Sequence, residues 1–162
     1  MNKTVYLRVH PENDNWFGKK ARGFLYSQGK SAHFASALFY MVDVIRSILL
    51  YSWRKTDYIV FVRYLMGTAY LPSPLHTVSY TFFSLVVPKS KAMYFLDVKP
   101  EVAAARIQNN RNDTEMFENL PSLKKIRKKA LSLIRFDDWT IIDSNTSPEK
   151  VAEKLRQRLL FE

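Results

Sequence analysis

An α/β domain with a parallel sheet is the fold class this sequence predicts, and three observations predict it. Short β-branched and aromatic runs recur along the chain, helical apolar periodicities fall between them, and turn formers separate the two. The run Met93-Tyr94-Phe95-Leu96-Asp97-Val98 is apolar almost without interruption, as a strand covered on both faces should be. The 162 residues, 1–162, suffice for one domain with a core of its own and hardly for two.

Taken in order, Thr4-Val5-Tyr6-Leu7-Arg8-Val9 is strand-like, and the turn formers of His10-Pro11-Glu12-Asn13-Asp14-Asn15 end it. Phe17, Ala21, Phe24 and Leu25 then recur at helical spacing, with Lys19, Lys20 and Arg22 opposite, and Gly29 is expected to close that helix. A longer helix follows from Ser31, its deeply buried face predicted to be Leu38, Met41, Val42, Ile45, Ile48 and Leu49.

Ile59-Val60-Phe61-Val62-Arg63-Tyr64, between Asp57 and Gly67, reads as a buried strand that delivers Arg63 and Tyr64 to its carboxyl end. In open α/β sheets ligands bind at that end, although the local pattern equally permits a solvated arginine. The loop Leu71-Pro72-Ser73-Pro74 leads into an apolar helix reaching about Val87.

After the strand at Met93, Pro100 and Glu101 open a helix that fades into the polar loop Asn109-Asn110-Arg111-Asn112-Asp113. Leu123, Ile126, Ala130, Leu133 and Ile134 mark one face of the next helix. Trp139-Thr140-Ile141-Ile142-Asp143 is a short strand, and Ser147 and Pro148 start a last helix carrying Val151, Leu155 and Leu159.

With 25 Lys and Arg against 15 Asp and Glu, the formal charge of +10 favours an anionic partner: a nucleotide, a nucleic acid or a membrane surface. No cysteine is present, so disulfides and thiolate metal sites are excluded, and His10, His33 and His76 show no metal-ligand spacing. The longest apolar runs, 35–41 and 82–87, fall short of the ~20 residues of a membrane helix. These features predict a soluble, cytoplasmic protein with no membrane partner.

Three constellations could carry chemistry. Gly23-Phe24-Leu25-Tyr26-Ser27-Gln28-Gly29-Lys30-Ser31 imitates a phosphate-binding loop, but it has five residues between its glycines where the cradle needs four, and no strand precedes it. A loop joining two helices fits better. Lys124, Lys125, Arg127, Lys128 and Lys129 could contact a nucleic-acid backbone, yet they are the positions left once the apolar face is assigned. That favours a solvated helix surface over nucleic-acid binding. Arg106, Arg111, Glu115 and Glu118 bracket the polar loop, where arginines can close over a transferring phosphoryl group or simply be exposed.

The order of these segments resembles thymidylate kinases. Phe95-Leu96-Asp97-Val98, the helix from Pro100-Glu101-Val102-Ala103 to Arg106-Ile107, Glu115-Met116-Phe117-Glu118, Trp139-Thr140-Ile141-Ile142-Asp143-Ser144 and Ser147-Pro148-Glu149-Lys150-Val151 follow the second half of that family. Val62-Arg63-Tyr64 with Ala69-Tyr70 resembles its "DRY…AY" motif, Arg8 before His10-Pro11 its arginine near a proline, and Leu38-Phe39 its "LLF" helix.

The resemblance implies a P-loop NTPase-like parallel sheet, order 2-3-1-4-5, with helices on both faces. It implies transfer of the γ-phosphoryl of ATP, with Mg²⁺, to a nucleoside monophosphate, dTMP or a related one. Arg8, Phe39, Arg63, Tyr64 and Glu118 would bind the acceptor, Arg63 and Arg111 would be catalytic, and Arg106, Asn145, Thr146 and Ser147 would lie at the ATP adenine. A homodimer is a further implied partner.

The departures are as specific. The chain starts at the family's second strand, so the central P-loop strand and the Walker A loop are expected to be missing from it. Val62 stands where the family has the "DRY" aspartate, and the arginine expected after Phe39 is replaced by Asp43 nearby and Arg46 a turn later. The expectation is a kinase impaired in this chain, or alternatively a catalytically inactive nucleotide-binding or regulatory paralogue.

Overall fold

Strand β1 (Val5–Val9) pairs in parallel with β2 (Tyr58–Val62), the register running from Val5 opposite Tyr58 to Val9 opposite Val62. Between them lie α1 (Trp16–Leu25) and α2 (Lys30–Tyr51), and after them a 3₁₀ helix (Leu65–Tyr70) and α3 (Leu75–Val86). Farther on, β3 (Met93–Asp97) pairs in parallel with β4 (Trp139–Asp143), joined through α4 (Pro100–Asn110), α5 (Leu120–Leu133) and a short 3₁₀ turn, with α6 (Pro148–Leu160) following. This computed structural model describes residues 3–27, 29–110 and 117–160. It divides into two units, Met1–Val87 and Pro88–Glu162, each holding its own two-stranded sheet.

The helix starts follow from local chemistry. Asn15 is extended and its side chain accepts from the Gly18 N–H, which caps α1, and Asn119 does the same for the Ser122 N–H ahead of α5. Proline in the first turn of α4, α5 and α6 costs no hydrogen bond there. The expectation that Gly29 closes the first helix is corrected: α1 ends at Leu25, and Gly29, at φ 107°, stands immediately before α2. Its left-handed backbone suits a glycine that redirects the chain into a new helix.

In the first unit, α2 packs its Ala32, Ser36 and Ala37 side towards α1, where Ala21 is fully buried and the Ser36 hydroxyl donates to the Ala21 carbonyl at 3.1 Å. Small side chains let the two helices approach. The buried face predicted for α2 is corrected in part: Ile48 is buried and Met41, Val42 and Ile45 are half-buried, but Leu38 and Leu49 are 53% and 66% exposed, and Val44, Asp43 and Ser47, the last two at 0%, are buried in their place. Apolarity alone rotates the face wrongly because the inner side of α2 must satisfy polar groups of β1 and the loop after it.

α2 also passes, by length and composition, the test that the shorter apolar runs fail, since Phe34–Tyr51 is an 18-residue apolar window. Within it Asp43 is fully buried in hydrogen bonds and Arg46 faces a carboxylate, which is how a core helix of a folded domain is held.

Two expectations are corrected: β2 is not the buried strand expected at Ile59–Tyr64, and the strand from Met93 is not covered on both faces, since Val60, Val62 and Leu96 are exposed. One face, with Tyr6, Arg8 and Phe61, turns towards α2, where Tyr6 lies 5.3 Å from the Tyr51 ring. Val5, Leu7, Val9, Tyr58, Val60 and Val62 make up the other face and are exposed. Side chains alternate along a strand, so a continuous apolar run fixes which residues share a face without fixing what covers it. In the second unit Met93 and Ile142 are buried with Ala130 and Leu133 of α5 and Val151 of α6, while Leu96 and Ile141 are exposed.

Candidate active site

The carboxyl end of the first sheet gathers most of the acceptor residues named from the sequence. Beyond the last ladder pair, the His10 N–H donates to the Val62 carbonyl at 3.3 Å, so His10 and Arg63 follow side by side where the two strands end. Arg63 has φ 62°, a left-handed backbone that is unusual for a residue with a side chain. Such strain concentrates where the chain must aim a side chain at a ligand. Tyr64 follows, its ring 5.6 Å from Phe61, and burial pushes its hydroxyl pKa up.

Arg8 is only 5% exposed. Its guanidinium lies 4.4 Å from the centre of the Tyr51 ring, donates to the Ser47 hydroxyl at 3.2 Å and pairs with Asp14 at 2.8 Å. A buried guanidinium needs this set of partners, because desolvating it unpaired costs several kcal/mol, roughly. The Arg8 guanidinium beside Asp14 holds that carboxyl far below the usual carboxylate range, more than offsetting the loop's partial burial.

His10 and Asp43 form a fully buried pair, Nδ1 to Oδ2 at 2.9 Å. The His10 ring is parallel to Phe61 at 6.1 Å and edge-on to Tyr40 at 6.3 Å. Asp43 also accepts the Glu12 N–H at 2.9 Å and the Asn15 amide at 2.6 Å. Burial alone would raise the Asp43 pKa, but the hydrogen bonds from His10, Glu12 and Asn15 win and lower it. One carboxylate of α2 thus pins the loop after β1 and the cap of α1. Gly18 permits this closeness, since a Cβ there would lie 1.8 Å from the Glu12 carbonyl oxygen.

Phe39 is half-buried, parallel to Phe24 at 5.8 Å and perpendicular to Trp16 at 5.4 Å, so it belongs to an aromatic cluster along α1. The polar members Asp14, Asn15, Asp43, Ser47 and Tyr51 were not singled out from the sequence as site residues. Their signal was present in part, since Asp43 and Ser47 interrupt an apolar helix four residues apart.

In the second unit the carboxyl end of β3–β4 brings Arg106 and the 145–147 loop together. Arg106 donates to the Thr146 carbonyl at 2.7 Å, the Asn145 side-chain oxygen accepts the Lys99 N–H at 2.8 Å, and the Ser144 N–H donates to the Asp97 carbonyl at 2.7 Å. The backbone N–H of Asn145 lowers the pKa of Asp143. The Thr146 hydroxyl is buried and without a hydrogen bond. It is a polar atom suited to a heteroaromatic edge.

Ser147 is exposed and starts α6, and Glu118 is half-buried just ahead of the Asn119 cap. Arg111 and Glu115 lie outside the described residues. The basic helix is not simply solvated: Arg127 forks both oxygens of Asp97 at 2.7 Å each, Lys124 pairs with Glu101 at 3.0 Å, and burial lowers the Lys129 pKa.

A family model described as thymidylate kinase matches residues 1–155. The chain belongs to the thymidylate kinase family. Over 71 residues it is 35% identical to a "Probable thymidylate kinase" of Pyrobaculum aerophilum, covering 44% of this chain and 36% of that protein. Over 77 residues it is 34% identical to "Probable thymidylate kinase 1" of Saccharolobus solfataricus, covering 46% and 40%. The chain therefore spans well under half the length of these curated relatives.

The solved thymidylate kinase of Candida albicans superposes with a TM-score of 0.65 at 15% identity, over 97% of this chain and 78% of that one. The fold is thus the P-loop NTPase-like α/β fold of thymidylate kinases. The described strands form two separate parallel pairs, β1–β2 and β3–β4.

For Mg²⁺ the residues present offer little. No three His, Cys, Asp or Glu side chains gather among the described residues, and Val62 supplies no carboxylate at the end of β2.

Proposed function

We propose that this chain carries the acceptor site and the adenine site of a thymidylate-kinase-like nucleoside monophosphate kinase, with dTMP or a related monophosphate as acceptor and ATP as donor. Arg8 and Arg63 bind the acceptor phosphate, Phe39 and Tyr64 its base and sugar, and Glu118 belongs with Arg111 to the segment that closes over the reacting phosphates. Arg106, Asn145, Thr146 and Ser147 receive the adenine of ATP. In the complete reaction an acceptor phosphate oxygen attacks the γ-phosphorus, the bond from that phosphorus to the bridging β-phosphate oxygen breaks, and ADP leaves. Such a transfer asks the protein for positioning and positive charge, with little covalent work.

The observation that carries this reading is the pair of arginines, Arg8 and Arg63, at the carboxyl ends of two hydrogen-bonded parallel strands. A cytoplasmic location and a homodimer go with it as family-based proposals, as does a single domain over residues 1–162. Calorimetric titration of dTMP into the chain tests it. Saturable binding is expected, weakened at least about tenfold by Arg63→Ala.

Val62 favours a second reading, a catalytically inactive nucleotide-binding or regulatory paralogue, because the carboxylate expected beside Arg63 is a methyl-bearing side chain. On either reading transfer by this chain alone is expected to be weak. A coupled assay for ADP formation with dTMP and ATP tests the paralogue reading, which turnover by the chain as it stands overturns.

A further inference from the structure

The loop carboxylate Asp14 is held by more donors than a loop aspartate needs. Its Oδ2 receives Arg8 Nη1 at 2.8 Å and the Tyr51 hydroxyl at 3.3 Å, while its Oδ1 receives the Asn15 amide at 2.8 Å and faces Arg46 Nη1 at 3.7 Å. Two guanidiniums, a phenol and an amide thus converge on one carboxylate.

Asp14 alone does not balance the set: Arg8 and Arg46 bring two positive charges, and the second negative charge comes from Glu12, whose Oε2 lies 3.8 Å from Arg8 Nη1, about as near as Asp14 lies to Arg46 at 3.7 Å. The donors are not all satisfied, because Arg8 Nε and Arg46 Nη1 are buried without a hydrogen bond. The Arg8 side chain is 6% exposed and the Asp14 side chain 36%, so the cation is fixed in the wall and the anion lies on the solvent side. A buried guanidinium tolerates exchange of one anion for another far better than loss of its anion.

We infer that Arg8, Arg46 and Tyr51 form a binding site for a phosphate dianion, and that in the unliganded chain Asp14 fills this site as a tethered stand-in. A phosphate group brings two negative charges and three acceptor oxygens, enough to meet Arg8, Arg46 and the Tyr51 hydroxyl at once. Asp14 must then swing out, so it competes with the ligand and sets its affinity. The inference deepens the acceptor-site reading and rests on it for the nucleotide, though not for the anion site itself. The same dianion chemistry belongs to inorganic phosphate and to a nucleotide 5′-phosphate.

The test titrates inorganic phosphate, and separately dTMP, into the wild-type chain, Asp14→Asn and the double variant Asp14→Asn with Arg46→Ala. Removing the competing carboxylate is expected to tighten phosphate binding about tenfold, and the added loss of Arg46 to cancel the gain. An equal gain for dTMP supports the inference and identifies the anion as the acceptor phosphate. A gain for inorganic phosphate alone supports the anion site and removes the acceptor reading. Unchanged or weaker phosphate binding in a folded Asp14→Asn chain overturns the inference, even if dTMP still binds.

Should Asp14→Asn not fold, the wild-type chain decides. At about pH 7.5, where phosphate is largely the dianion, its Asp14 carboxyl carbon is followed by NMR as phosphate is added. A saturable shift of that carbon shows the displacement, and a signal that stays put at saturating phosphate overturns it.

Discussion

Asp43 is the residue on which most of the first unit's polar order depends, since three donors, His10 and Glu12 of the loop after β1 and the α1 cap Asn15, meet on its two oxygens. Replacing it by Asn leaves at least one buried donor facing an amide N–H, and a loss of about 3 kcal/mol is expected. The pH dependence has a definite sign. Asp43 and Asp14 both have folded-state pKa values below those of the unfolded chain, so their stabilisation is complete above about pH 4 and is lost as pH falls through the folded values. Melting temperatures measured from pH 7 downwards should therefore fall steeply below about pH 4. The fall should be shallower in Asp43→Asn, and an equally steep fall in that variant would count against the assignment.

At Arg63 stability and binding should separate. Arg63→Gly relieves the positive φ and is expected to leave stability unchanged or raise it by up to about 1 kcal/mol, while weakening dTMP binding. A variant that loses both together would mean that Arg63 is a structural residue.

Among the elements, α2 shows where sequence reading succeeds and where it stops. Its existence follows from a long apolar periodicity, but its orientation does not, because Asp43 and Ser47 reach the interior to serve His10 and Arg8. Those partners lie more than thirty residues away in the chain, and no local pattern reports them. The strands were legible for the opposite reason: β-branched and aromatic runs bounded by turn formers specify a strand wherever they occur. What covers each strand face was not legible, as the exposed Val5, Leu7, Val60 and Val62 show.

The same lesson applies to α5, where Arg127 left over from the apolar face turns out to clamp Asp97. For α2 the correction is testable by a pair of truncations. Ile48→Ala should cost about 2–4 kcal/mol in denaturant unfolding, and Leu49→Ala, one residue on, less than about 1. Equal costs would restore the face expected from apolarity.

At the scale of the whole molecule, family and fold are settled by the match over residues 1–155 and by the superposition on the Candida albicans thymidylate kinase. Both described strand pairs are parallel, as an α/β sheet of alternating strands and helices requires. The candidate site was partly legible: Arg8, Arg63 and Tyr64 were found through strand ends and motif order, because a sheet presents its ligands where strands stop. Asp14, the loop carboxylate that holds Arg8, was missed, as was Asp43, whose role exists only once the loop after β1 packs on α2. The central claim is that the carboxyl end of β1–β2 is a monophosphate acceptor site.

Calorimetric titration of dTMP tests this most directly, comparing the wild-type chain with Arg63→Ala and with Lys128→Ala, an exposed position on α5. The account predicts saturable binding that Arg63→Ala weakens by at least about tenfold and Lys128→Ala leaves unchanged. Binding that is indifferent to Arg63, or lost equally in both variants, would contradict it.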